Sequence, residues 1–304
     1  MRLTVEAPLA RRTTFRIGGP AELLAEVANE RALVAVVRAA AAAGIGFELL
    51  GLGSNLLVPD EGVRGLVVAL TGELKRIRIR GLRVSAGGGA PLPLVARRAA
   101  EAGLAGVEAL SGFPSTVGGG VFMNAGCYGT EIREVVRSVR LVERDGSRRR
   151  VAMSELEPRY RETNLKRSRA VVARALFELR PGERAALVGR IEELNRKRRA
   201  ALPSGLPNAG SVFKNPPGDY AGRLLEACGM KGRRAGGATV SERHANVIVN
   251  VERARAVDVL ALMLAGRTAV AERFGVELEP ELVLLGALGD RWRTDAAHAA
   301  GAPA

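Results

Sequence analysis

The chain has 304 residues, 47% of them hydrophobic and 26% charged, the balance of a soluble globular protein of about two domains. Its formal charge of +14 rests on 46 basic side chains, all but five of them Arg. The arginines are scattered and aromatic residues make up only 4%, with no aromatic-interleaved basic face, so the charge reads first as a genomic bias toward Arg, then as a field that favours anionic ligands, and only last as a nucleic-acid surface.

The start, Met1-Arg2-Leu3-Thr4-Val5-Glu6, lacks the basic and apolar regions of a signal peptide, so a cytoplasmic location is expected. A Gly18-Gly19-Pro20 turn precedes a strand over 21–28. Asn29 is placed to cap a helix over about 30–43, ended by Gly44, and a strand at 47–50 completes a β-α-β opening. Gly51-Leu52-Gly53-Ser54-Asn55-Leu56 then resembles a dinucleotide fingerprint only in part. Leu56 stands where the third Gly belongs, and the Pro59-Asp60-Glu61-Gly62 turn leaves no room for the helix. What remains is a Gly-x-Gly-Ser-Asn loop able to receive an anion. The window 32–45 is interrupted by Arg38 and too short to span a bilayer, so no membrane insertion is expected.

Strands are expected at about 65–70, 74–80 and 82–87, followed by an amphipathic helix over 91–102. Residues 111–129 contain six glycines together with Ser115, Thr116 and Asn124. So permissive a stretch inside a domain costs ordering entropy, and it reads as a wall that lets a flat ligand approach the backbone. With the 51–55 loop it points to a large phosphate-bearing cofactor. A hairpin turns at Asp145-Gly146, a strand covers 171–179, and a long basic helix runs to about 201 with Arg196, Lys197, Arg198 and Arg199 at its end. The two cysteines, Cys127 and Cys228, have no metal-ligand spacing, so no metal site or disulfide is expected.

The pattern restarts after Pro203. The stretch Pro207-Asn208-Ala209-Gly210-Ser211-Val212-Phe213-Lys214-Asn215-Pro216 holds a hydroxyl, an ammonium and two amides between rigid prolines. A helix over 221–228, a glycine turn at 232–237, a strand at 246–251, a helix over about 254–273 and a last strand within 276–286 follow. Residues 289–304 read as a frayed polar tail.

Several motifs together, in one order, resemble the UDP-N-acetylenolpyruvoylglucosamine reductase family over roughly 13–286. They are Leu50-Gly51-Leu52-Gly53-Ser54-Asn55-Leu56-Leu57-Val58, Gly112-Phe113-Pro114 through Gly118-Gly119-Gly120 to Asn124-Ala125-Gly126, Tyr160-Arg161, Asn208 to Pro216, Ser241-Glu242-Arg243-His244-Ala245-Asn246, and Leu278-Glu279-Pro280-Glu281. The resemblance implies an α+β fold: a two-part FAD-binding region of the vanillyl-alcohol-oxidase type over 1–64 and 65–202, and an α+β substrate domain over 203–288. It also implies that NADPH reduces FAD and that hydride passes from flavin N5 to the enolpyruvyl methylene of UDP-N-acetylglucosamine enolpyruvate, giving UDP-N-acetylmuramate for peptidoglycan. Carried over residue by residue, Ser211 matches the proton donor, Arg161 the partner of the substrate carboxylate, and Glu281 the group that orients that carboxylate. Leu52, Gly53, Ser54, Asn55, Leu56, Gly112, Pro114, Ser115, Thr116, Gly118, Gly119, Asn124, Ala125 and Gly126 are the implied FAD contacts, and Lys214, Asn215 and Arg199 the implied substrate contacts. Thr163 and Leu165 depart from the family's Ser and Phe, and no tyrosine-bearing insertion is present, so the chain looks like the shorter subtype. A monomer with small-molecule partners and no nucleic acid is expected. Another FAD enzyme of the same fold and an Arg-rich nucleic-acid binder are the alternatives.

Overall fold

The computed structural model describes residues 1–203 and 205–300, and they divide into two compact units. The first comprises Met1–Val5, Leu23–Leu52 and Gly65–Arg198. Its four-stranded sheet runs in the order Arg2–Pro8, Pro20–Val27, Val63–Leu70, Phe47–Leu50, and the last two are parallel, as their connection predicts. The first of these strands carried no signal in the sequence. Asn29 caps the helix Glu30–Ala42 by accepting the Ala32 N–H at 2.8 Å. The helix buries Leu33, Val34 and Val37 against Val68, Val142, Val171 and Ala173. A second, antiparallel sheet is ordered Arg148–Ala152, Val136–Val142, Val171–Glu178, Arg83–Gly87, Ile77–Arg80. The helix Leu92–Glu101 covers it through Val95, Ala96, Ala99 and Ala100, all at 0% exposure.

The second unit gathers Glu6–Glu22, Gly53–Arg64 and the chain from Arg199. The compact units are therefore discontinuous, where the sequence suggested breaks at 64/65 and 202/203. The reason is burial: Phe15, Ile17 and Leu57 share one apolar core with Phe213, Leu224, Met263 and Leu282. Hydrogen bonds reinforce it, because Asn250 Nδ2 donates to the Phe15 carbonyl at 3.1 Å and Asp60 accepts the Ala256 N–H at 2.8 Å at the start of a helix. The sheet order is Asn208–Ser211, Val247–Asn250, Ala238–Val240, Arg234–Ala235, and the helix Ala256–Phe274 packs on it. Val283–Leu284 pairs in parallel with Leu56–Leu57.

One expectation gives way here. The segment read as a polar tail from residue 289 lies in a helix, Ala287–Ala300, which buries Leu288 and Trp292; only 301–304 fall outside the described residues. The two apolar side chains are one helical turn apart and reach the core together.

Candidate active site

In the first unit the glycine-rich stretch is not an open loop. Thr116 caps a short helix, Val117–Phe122, by accepting the Gly119 N–H on Oγ1 at 3.1 Å, and Pro91 bridges to Thr116 from a neighbouring segment. The Gly118 N–H donates to the Gly88 carbonyl at 2.7 Å, and a Cβ on Gly118 would stand 3.0 Å from that oxygen. So glycine at 118 lets the protein's own backbone approach. Gly119 is different: a Cβ there would stand 3.2 Å from Thr116 Oγ1 and 3.3 Å from Ser115 Oγ. Both hydroxyls already bond to backbone, Thr116 Oγ1 accepting the Gly119 N–H and Ser115 Oγ donating to the Thr116 carbonyl at 3.0 Å. The place a Cβ would fill beside them is a cradle that suits the flat edge or the diphosphate of a ligand.

Asn124 is fully buried with φ 41°, and its side chain is spent within the protein. Nδ2 donates to the Arg159 carbonyl at 2.9 Å and to Glu131 Oε2 at 3.1 Å, while Oδ1 accepts the Arg133 N–H at 3.2 Å. That ties the glycine stretch to the turn 159–162, where Arg159 and Glu162 exchange backbone bonds of 2.9 and 3.2 Å. Arg161 is the third residue of this turn, at φ 57°, a position where glycine is favoured and a side chain costs roughly 1–2 kcal/mol. Its guanidinium donates from Nη2 to the Gly126 carbonyl at 2.9 Å and lies 4.9 Å from the Tyr160 ring centroid, while Lys166 Nζ donates to its carbonyl at 2.9 Å. Thr163, where the family pattern differs, is buried and donates to the Phe122 carbonyl at 2.9 Å.

Among the basic residues near 196–199, the half-buried Arg198 is singled out, because its Cδ borders Gly112 alongside Cys127 and Tyr128. Burial pushes the Cys127 thiol above its ordinary pKa, and the nearby positive charges of Arg198 and Arg161 only partly oppose this. The half-buried sulfur itself donates to the Ala109 carbonyl at 2.8 Å. Nothing in the spacing of Cys127, Arg161 and Arg198 revealed this grouping.

In the second unit, Ser211 owes its position to a bulge. Asn208 pairs with Val249 and Ser211 with Val247, so three steps of one strand oppose two of the other. Gly210 absorbs the extra residue at φ 75°, and its N–H is held by Asn208 Oδ1 at 3.0 Å. Beyond the bulge the Val212 carbonyl accepts the Glu281 N–H at 2.9 Å, and the Lys214 N–H donates to the Glu279 carbonyl at 2.9 Å. Lys214 Nζ also pairs with Glu279 at 2.7 Å. Asn215 Oδ1 accepts the Ala221 N–H at 3.1 Å, holding the start of the helix Ala221–Ala227.

The loop around Gly53 joins the same group of strands. A Cβ on Gly53, whose φ is 62°, would run into the Arg12 carbonyl, and Asn55 Nδ2 donates to the Glu281 carbonyl at 3.0 Å. Ser211, Lys214, Asn215, Glu281 and the Gly53–Leu56 segment are therefore brought into one neighbourhood, with Ser211 and Glu281 both half-buried. His244 Nδ1 accepts the Asn246 N–H at 3.2 Å, a structural bond. Among the described residues no three His, Cys, Asp or Glu side chains are grouped to hold a metal ion.

Comparison with known proteins bears directly on these groups. A model described as "FAD binding domain" matches residues 21–152, and one described as "UDP-N-acetylenolpyruvoylglucosamine reductase, C-terminal domain" matches 202–285. The chain is 48% identical over 285 residues to UDP-N-acetylenolpyruvoylglucosamine reductase 2 of Symbiobacterium thermophilum, covering 94% of this chain and 92% of the relative. The corresponding reductase of Heliobacterium modesticaldum is 45% identical, with 93% and 91% covered. The crystal structure of the Thermus caldophilus UDP-N-acetylenolpyruvylglucosamine reductase superposes with a TM-score of 0.82 at 37% identity, over 94% of this chain and 100% of that one.

Proposed function

Since the chain belongs to the UDP-N-acetylenolpyruvoylglucosamine reductase family, we propose that Arg161, Ser211 and Glu281 divide the reduction of its enolpyruvyl ether between them. The protein is an FAD-dependent oxidoreductase that uses NADPH to reduce UDP-N-acetylglucosamine enolpyruvate to UDP-N-acetylmuramate in peptidoglycan precursor synthesis. When bound, FAD supplies the hydride it has received from NADPH.

The chain's own groups must do three things: hold a carboxylate, stabilise the negative charge that develops on it, and deliver a proton to carbon. Arg161 suits the first two, because a planar guanidinium offers paired donors and stays charged. Its value is catalytic to the extent that it binds the enolate form more tightly than the ground state. Ser211 is the proton donor in this reading. A hydroxyl is a weak acid, so its task depends on neighbours that support the oxygen left behind. Glu281 orients the substrate carboxylate, and the observation that carries the assignment is its backbone bond to Val212 at 2.9 Å, one residue from Ser211.

FAD contacts are proposed at Leu52, Gly53, Ser54, Asn55, Leu56, Gly112, Pro114, Ser115, Thr116, Gly118, Gly119, Asn124, Ala125 and Gly126. The cradle at Gly119 supports this, while the amide of Asn124 contributes from behind by shaping the backbone. Lys214, Asn215 and Arg199 are the proposed substrate contacts. Lys214 then exchanges Glu279, 70% exposed on its side chain, for the ligand. The working form is taken as a cytoplasmic monomer that binds no nucleic acid. No described helix is long and apolar enough to cross a membrane.

Rapid mixing of Ser211→Ala tests the reading. Flavin reduction by NADPH should keep its rate, whereas oxidation by the enolpyruvyl sugar should slow by about 10²–10⁴, the usual worth of a positioned acid. A variant that turns over normally removes Ser211 from the chemistry.

A further inference from the structure

The ladder that carries Ser211 should stop one residue beyond it. Val212 donates its N–H to the Asn246 carbonyl at 2.9 Å, but the partner strand begins there, since residues 244–247 form a turn closed by the Val247 N–H on the His244 carbonyl at 2.9 Å. The side chain of Asn246 continues the ladder instead. Its Oδ1 accepts the Phe213 N–H at 2.9 Å and its Nδ2 donates to the Phe213 carbonyl at 2.9 Å. The two partners fix which end of the amide is oxygen, because a backbone N–H requires an acceptor and a carbonyl a donor. A primary amide is the side-chain group that mimics a peptide unit in this way. Asn246 is 2% exposed and Phe213 1%, so water cannot take over either bond.

The consequence reaches Ser211 and Lys214, which flank Phe213. Opposite Asn246, the same segment is gripped by the N–H groups of Glu281 and Leu282 on the Val212 carbonyl and by the Glu279 carbonyl on the Lys214 N–H. We infer that Asn246 is a positioning residue for the reduction: its side-chain amide acts as one more rung of the sheet, fixing Phe213 and with it the aim of Ser211. This rests on Ser211 being the proton donor.

The test is Asn246→Asp, which keeps the shape. As a carboxylate it still accepts the Phe213 N–H but sets an anionic oxygen against the Phe213 carbonyl. Protonated, it regains the missing donor, and burial raises the pH at which it does so. The expected result is oxidation of the reduced enzyme by the enolpyruvyl sugar that is slower by about a hundred-fold at high pH, as for a small misplacement of a reacting group, and recovers as pH falls. Flavin reduction by NADPH keeps its rate at every pH. The titratable groups nearby are His244, whose Nδ1 holds the Asn246 N–H, and Lys214, Glu279 and Glu281 across the strand. All are common to both enzymes, so the difference between their pH profiles reports the new carboxyl.

Asn246→Ser gives a second reading, with slower sugar reduction at all pH and faster amide hydrogen exchange in a peptide spanning 208–215. Unchanged sugar reduction in both variants overturns the inference, as does an equal loss in both half-reactions. A normal Ser211→Ala control would instead overturn the assignment of Ser211 on which the inference rests.

Discussion

Asn55 and Glu281, 226 residues apart, are joined by a hydrogen bond from the Asn55 amide to the Glu281 carbonyl at 3.0 Å. The same segments are also strand partners, Leu56 beside Val283 and Leu57 beside Leu284. A loop whose glycines suggested an anion site is thus also the brace of the glutamate proposed to orient the substrate carboxylate. The two roles are compatible, because the brace uses one amide proton of Asn55 while the proposed FAD contacts run from Leu52 to Leu56.

Asn55→Ala should therefore separate them. Losing a half-buried hydrogen bond costs about 1 kcal/mol of stability. Sugar reduction should fall by about tenfold, the equivalent of roughly 1.4 kcal/mol in the barrier, with Kd for FAD changed by only a few-fold. Flavin titration and rapid-reaction kinetics read the two quantities independently. A large loss of FAD affinity with the sugar step intact would show that the bond to Glu281 is incidental.

Arg161 gives the second prediction. Its backbone stands at φ 57° on a tight turn, held there by the bonds between Arg159 and Glu162 and by Asn124 on the Arg159 carbonyl. Strain maintained by so many contacts accords with the role proposed for Arg161. Arg161→Lys keeps the charge but cannot hold the Gly126 carbonyl and both oxygens of a carboxylate at once. We expect kcat/KM for the enolpyruvyl sugar to drop by about 10²–10³, roughly 3–4 kcal/mol of transition-state binding, with flavin reduction by NADPH unaffected. Equal slowing of both half-reactions would place Arg161 at the cofactor instead.

Much of the frame was legible because it is local. Asn29 announces the helix Glu30–Ala42, Asp145-Gly146 its hairpin, and apolar periodicity the helix Ala256–Phe274. The helix Val117–Phe122 was hidden, since Gly118, Gly119 and Gly120 are poor helix formers, and it exists because Thr116 caps it and Gly88 packs on it. The helix Ala287–Ala300 was hidden for the opposite reason: its composition favours helix, but among its described side chains only Leu288 and Trp292 mark a buried side. The site divides in the same way. Motifs named Ser211, Arg161 and Glu281, but the bulge at Gly210, the amide of Asn246 and the approach of Arg198 and Cys127 to Gly112 depend on contacts between distant segments. No periodicity encodes such contacts.

Trp292 connects the C-terminal helix to the strand that carries Ser211. Its ring centroid lies 6.0 Å from that of Phe213, and the Arg267 guanidinium sits over the indole, 5.0 Å from its centroid, while also pairing with Glu277. Arg267 is only 6% exposed, so the indole both fills core volume and faces a buried cation. Trp292→Ala should cost about 3–5 kcal/mol, the range for truncating a large buried aromatic, and Trp292→Phe clearly less because a ring remains for both neighbours. The measurement is urea unfolding followed by circular dichroism. In the parent protein the same transition is visible in fluorescence, because Trp292 is the one tryptophan in the chain. If the Ala variant unfolds within about 1 kcal/mol of the parent, the typical effect of an ordinary substitution, the helix is not a structural part of the second unit. If instead stability falls as expected, sugar reduction in the folded variant should also slow, since Phe213 has lost its aromatic neighbour in the core.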